Sequence, residues 1–168
     1  LKRDGNVLVW LYAPGLVTQS GLSDAHMAAV TGLSLHHSTT PLSLRIVITN
    51  GSSLATQGLA GLEFGTDEAH SPVVYADPGQ DGVIALGVYK YDTSKIAYCM
   101  KDFGTWKSVF LGTPGILYVP VLRGLANLAG VHLYPPASLW PSYDDGIAAS
   151  KDFLALHAAG DGIRTLVF

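Results

Sequence analysis

Apolar residues in this chain of 168 fall in short runs separated by glycine, proline and serine. Val7 to Tyr12 is apolar on both faces, which predicts a strand covered on both sides, and Ala13-Pro14-Gly15 ends it. Ser23 is placed to cap a helix running through Val30, with Asp24 at its positive end and Gly32 as its stop. Together these make one β-α unit. Leu42 to Thr49 reads as a strand, Gly51 to Gly65 as a loop rich in glycine, serine and threonine, and Pro72 to Tyr75 as a short strand. Asp77-Pro78-Gly79-Gln80-Asp81-Gly82 is a turn signal. Val83 to Tyr89 and Lys95 to Met100 are apolar runs joined by Lys90 to Ser94, the pattern of a hairpin.

A second unit follows. Trp106 to Leu111 reads as a strand and meets the turn Gly112-Thr113-Pro114-Gly115. A helix starts near Pro120, which suits a first helical turn, and ends at Gly130. Leu122, Leu125, Ala126 and Ala129 fall on one face, and Val121 and Leu128 widen it, so the helix is expected to be well buried. The apolar run Val131 to Tyr134 would complete a β-α-β unit. Pro135 to Tyr143 reads as an irregular loop. Gly146 to Ser150, Phe153 to Ala158 and Arg164 to Phe168 read as three closing strands. The pattern predicts one α/β domain: a mostly parallel sheet with few helices over residues 1–134 and a C-terminal β extension over 135–168.

Composition adds one feature. Hydrophobic residues make up 48% of the chain and charged ones 14%, against about 25% charged in a typical soluble domain. Such a surface is expected to face a partner subunit or a neighbouring domain. No apolar run approaches the roughly 20 residues that span a bilayer, so no membrane partner is expected. The net charge of -3 and the lack of a Lys/Arg cluster argue against nucleic acid. A single cysteine, Cys99, leaves no internal disulfide and no cysteine-based zinc cluster. Asn50-Gly51-Ser52 is a sequon that would matter only in a eukaryotic secretory context. The opening Leu1-Lys2-Arg3-Asp4-Gly5, without an initiator methionine, suggests a piece of a longer protein.

The glycine turn is the first candidate for chemistry. A nucleophile elbow needs Gly-x-Ser-x-Gly or its cysteine equivalent; here Thr113 is the only hydroxyl, and Pro114 lacks the N–H an oxyanion hole would use. A phosphate loop needs Gly-Lys-Ser/Thr entering the helix. The turn therefore reads as structural. Cys99 sits mid-strand without flanking glycines, the pattern of a buried structural cysteine. None of the histidines forms a tight metal pattern, and His36 and His37, being adjacent, would point to opposite faces of a strand. No cofactor and no metal are expected.

The carboxylates carry more. A glycosidase needs two of them across a cleft, about 5 to 10 Å apart. Glu63, Glu68, Asp144 and Asp145 lie in loop-like segments and are the catalytic candidates if the chain is an enzyme. Trp140-Pro141-Ser142-Tyr143-Asp144-Asp145 puts aromatics beside acids, as a sugar site would; Trp140, Tyr143 and Trp106 are the candidate carbohydrate-binding residues. The competing reading is a proline-rich loop pinned by buried rings and closed by an Asp-Gly turn.

Five blocks carry a resemblance: Val9 to Gly15, Leu22-Ser23 leading to Val30-Thr31-Gly32, Lys101 to Val109, Ala129 to Tyr134, and Phe153 to Ala158. In order and spacing they resemble the C-terminal part of large bacterial proteins related to glycoside hydrolases. That part looks like the β-galactosidase trimerisation domain, which is similar to class I glutamine amidotransferases. The resemblance implies a flavodoxin-like fold, a soluble bacterial protein of cytoplasm or periplasm, and a domain generally without catalysis. The amidotransferase triad is Cys, His and Glu. Cys99 lacks the glycines of that family's elbow, and no Glu stands two places after His132, so no triad residue carries over. The first expectation is thus a non-catalytic, amidotransferase-like accessory or oligomerisation domain of a carbohydrate-active enzyme. A small stand-alone glycoside hydrolase and a sugar-binding module are the alternatives.

Overall fold

Ser23 is extended (φ -145°, ψ 109°), and its Oγ accepts the His26 N–H, which opens helix α1 (Asp24–Thr31) where the sequence placed it. Gly32 closes the helix in the left-handed region (φ 75°), its N–H donating to Ala28 O. This local agreement does not extend to the sheet. The computed structural model describes residues 1–114, 118–135, 145–150 and 152–167. Among these, 37% lie in strands and 12% in helices.

The strands, in chain order, are β1 (Val7–Leu11), β2 (Val17–Thr18), β3 (Gly21–Leu22), β4 (Leu35–Ser38), β5 (Leu42–Ser43), β6 (Ile46–Ile48), β7 (Glu63–Phe64), β8 (Ala69–His70), β9 (Val73–Ala76), β10 (Val83–Tyr89), β11 (Asp92–Asp102), β12 (Lys107–Leu111), β13 (Gly146–Ala149) and β14 (Leu154–His157). The second helix, α2, spans Val119–Leu128. The main sheet runs β1-β12-β11-β10-β6-β7, with β9 branching from β11 at Ile96 and β4 pairing β9. Among the described residues only β1 and β12 are parallel; the other paired strands of this sheet are antiparallel. Register shifts in β10 between Ala85 and Tyr89 help curl the sheet into a half-barrel.

The expected flavodoxin-like α/β fold with a mostly parallel sheet is therefore corrected to a mainly β fold, and the resemblance to the β-galactosidase trimerisation and amidotransferase domains falls with it. The misreading has a physical cause. Strands apolar on both faces usually signal a parallel sheet flanked by helices. Here a mixed, mostly antiparallel sheet is covered on both faces instead. Phe110, Cys99, Val74 and Ala76 pack with Met27 of α1 on one side. Val109, Leu111, Met100 and Leu86 pack with Val121 and Leu125 of α2 on the other.

Three smaller expectations change too. Leu122 is exposed, and α2 buries Pro120, Val121, Gly124 and Leu125. Val131 to Tyr134 and Arg164 to Val167 form no strand, so the second β-α-β unit is absent. Leu35 to Ser38, unremarked in the sequence, is a strand. Among its described residues, the C-terminal extension forms an antiparallel hairpin, β13–β14, with Gly146 opposite His157. Asp145 anchors its base by a two-pronged pair with Arg164 and by accepting the Ala159 N–H.

Candidate functional site

Asp24, the first residue of α1, meets both histidines of β4. His37 Nδ1 lies 2.5 Å from Asp24 Oδ1 and His36 Nδ1 lies 3.6 Å from Oδ2, while His36 Nε2 reaches Asp77 Oδ2 at 3.0 Å. Consecutive strand residues point to opposite faces, so one carboxylate within reach of both must sit off the strand's edge rather than over a face. β9 occupies one edge of β4, and Asp24 brings the start of α1 to the side chains of His36 and His37. His37 and Asp24 make the imidazole–carboxylate contact that a nucleophilic triad would use, with no nucleophile hydrogen-bonded to it among the described residues. The chain's one thiol does not complete it: Cys99 is fully buried, and burial pushes it up to about 12, a protonated and unreactive state. No group of three or more His, Cys, Asp or Glu among the described residues is arranged to hold a metal.

The glycine turn is structural in detail. Gly112 N–H donates to Ala97 O at 2.7 Å. The Tyr89 hydroxyl lies 2.8 Å from Val74 O and 2.7 Å from Gly112 O, so its one proton serves either carbonyl. A Cβ on Gly112 would stand 2.1 Å from that hydroxyl. Glycine is there to let β12 pass a buried tyrosine, whose ionisation burial pushes up. Tyr12 ends β1 with a left-handed backbone (φ 60°) and donates its hydroxyl to Pro72 O.

The predicted site residues go to separate places. Glu63 pairs with Lys90 Nζ at 2.8 Å. The Glu68 side chain is 86% exposed, with one carboxylate oxygen 4.0 Å from His70 Nε2. Arg45 grips Asp67 between them and holds that carboxyl below its ordinary range. Asp145 is 6% exposed in its pair with Arg164. Trp106 is 7% exposed; Phe103 stacks on it at 4.4 Å, and Lys2 Nζ lies 5.3 Å from the ring centroid. Trp140, Tyr143 and Asp144 lie outside the described residues. A pocket of about 300 Å³ opens between α2 and the hairpin, lined by Arg123, His132, Tyr134, Asp145 and Ile147 among others. His132 reaches Val167 O with Nε2 at 2.8 Å and packs edge-on against Tyr134. The Asp24–His36–His37–Asp77 cluster is what sequence reading missed. The adjacent histidines were visible, but nothing local told that Asp24 and Asp77 would come to them.

No family model matches the chain, and no curated protein or solved structure matches it either. What the geometry defines is a class: a curled, mainly β domain whose polar contacts lock strands, turns and one helix together.

Proposed function

We propose that this chain is a non-catalytic association domain that assembles with copies of itself. The carrying observation is the contrast between its polar and its apolar residues. The described carboxylates Glu63 and Asp145 are engaged in ion pairs, and Cys99 is sealed in the core. Large apolar side chains, by contrast, lie open: Tyr118, Val119 and Leu122 follow one another along the outer side of α2, and Phe153 and Leu156 stand on the C-terminal hairpin. Exposed apolar surface of this kind marks contact sites. Light scattering behind size-exclusion chromatography tests the reading. The expected result is a mass above the monomer that rises with concentration. A mass that stays monomeric at every concentration overturns it, and release of nitrophenol from a nitrophenyl glycoside by the wild-type chain overturns the non-catalytic part.

A further inference from the structure

Exposed side chains do not by themselves say what covers them, but an unpaired strand edge narrows the choice, because its row of main-chain groups is a template for another strand. The main sheet has three such edges. β7 is two residues long and flanked by the Glu63–Lys90 and Arg45–Asp67 pairs, charges that discourage further pairing. β4 carries Asp24 against His36 and His37 and Asp77 against His36, charged side chains that discourage further pairing. Among the described residues, β1 has neither protection. It is five residues long, Val-Leu-Val-Trp-Leu, with no charge and no proline, and among the described residues it pairs with β12 alone.

The ladder fixes which groups face outward. Lys107 N–H donates to Asn6 O, and Tyr12 N–H donates to Leu111 O. Parallel ladders alternate, so Leu8, Trp10 and Tyr12 turn their N–H groups toward β12, while the Asn6 N–H donates to Arg3 O and only its carbonyl meets β12. Val7, Val9 and Leu11 then turn theirs outward. The edge is held firm from behind: Trp10 Nε1 donates to Ser108 Oγ, which donates to Thr31 O at the end of α1.

We propose that β1 is the self-association edge of this protein, pairing antiparallel with β1 of a second copy across a two-fold axis through Val9. This rests on the association reading and gives it a surface and a symmetry. The axis sets Val9 opposite Val9 of the partner and Val7 opposite Leu11 of the partner. Each outward N–H then meets an outward carbonyl. On both faces the match is apolar against apolar, because Val7, Val9 and Leu11 lie on one face and Leu8 and Trp10 on the other. A charged or polar partner strand would leave those half-buried faces unmatched, whereas a second copy matches them residue for residue. Five paired residues extend only about 17 Å. The contact by itself falls below the roughly 1,200 Å² of a standard stable interface. The dimer is therefore in exchange with monomer and dependent on concentration.

The test uses the full chain. Val9→Pro removes the central outward donor, and proline is tolerated where a strand's N–H faces outward from an edge. The expected result is a monomer under conditions where the wild type is dimeric, with an unchanged far-ultraviolet circular dichroism spectrum. Should that variant fail to fold, Val9→Cys decides. Directly opposed residues in a hydrogen-bonded antiparallel pair sit about 5.5 Å apart at Cα, within reach of a disulfide. Val9→Cys should thus oxidise to a covalent dimer, while Gln19→Cys, at the turn between β2 and β3, should not. A wild-type oligomer unaffected by Val9→Pro, or uncross-linked in Val9→Cys, overturns the β1 pairing and leaves the association reading standing. A wild type that is monomeric throughout overturns both.

Discussion

Gly112 shows how a single residue's role is set by a neighbour far away in sequence. Its place at the end of β12 invites comparison with an active-site elbow, yet the atom it makes room for is the hydroxyl of Tyr89. Gly112→Ala would put a methyl group 2.1 Å from that oxygen. The tyrosine would have to move, at a cost of about 1–3 kcal/mol for overpacking and lost hydrogen bonding. In a Tyr89→Phe background the same substitution should cost less, since the clashing oxygen is gone. A double-mutant cycle in urea measures this coupling, and strictly additive costs would show that Gly112 is needed for some other reason. The same dependence on neighbours applies to Cys99. Its residue type suggests a nucleophile, but the core around it makes it a small apolar filler with a raised pKa.

At the scale of an element, α2 sets propensity against packing. Gly124 sits in the middle of the helix, where alanine would normally stabilise by about 1 kcal/mol. Here a Cβ would lie 2.0 Å from Ala55 O. The backbone of the loop before β7 presses on the helix at this point, and Asn127 Nδ2 donates to Leu54 O beside it. Gly124→Ala is therefore expected to destabilise by about 1–2 kcal/mol net, the overpacking cost exceeding the propensity gain. Urea unfolding gives the sign, and a more stable variant would show that the loop yields freely. Buried and exposed positions on this helix follow from the same contact. The sequence spacing favoured Leu122 as a core residue, yet the core side of α2 is centred on Val121, Gly124 and Leu125.

At the scale of the whole molecule, three carboxylates among the described residues with lowered pKa link stability to acid. Arg45 lowers Asp67; Lys95, with Ser94, lowers Asp92; the Gly104 N–H, with Lys107, lowers Asp102. A carboxyl group held below its unfolded value stabilises the fold above that value and loses the contribution as pH falls through the folded value. The unfolded reference is 3.8. The urea midpoint should therefore be insensitive to these groups between about pH 5 and 7 and should decline below about pH 4. The decline is expected to be shallow, because Asp67 and Asp102 are exposed and Asp92 is partly so, and solvent screens all three. A midpoint that rises on acidification would contradict this assignment.

What the sequence determined by itself was local. Ser23, Asp24 and Gly32 define α1 because capping satisfies backbone groups within a few residues. The hairpin of β10 and β11 was legible for the same reason, since a short polar connection brings adjacent apolar runs together. Tertiary structure alone decided how the strands pair. β1 lies beside β12, a hundred residues away, and β9 beside β4 and β11. An apolar run carries no mark of its neighbour or its direction. The same limit hid the Asp24–His36–His37–Asp77 cluster, whose members come from one helix, one strand and one turn. It also hid which strand edge stays open. That Val7 to Leu11 is apolar on both faces is written in the sequence; that β12 takes one edge of it and leaves the main-chain groups of Val7, Val9 and Leu11 on the other was settled only by the pairing of the sheet.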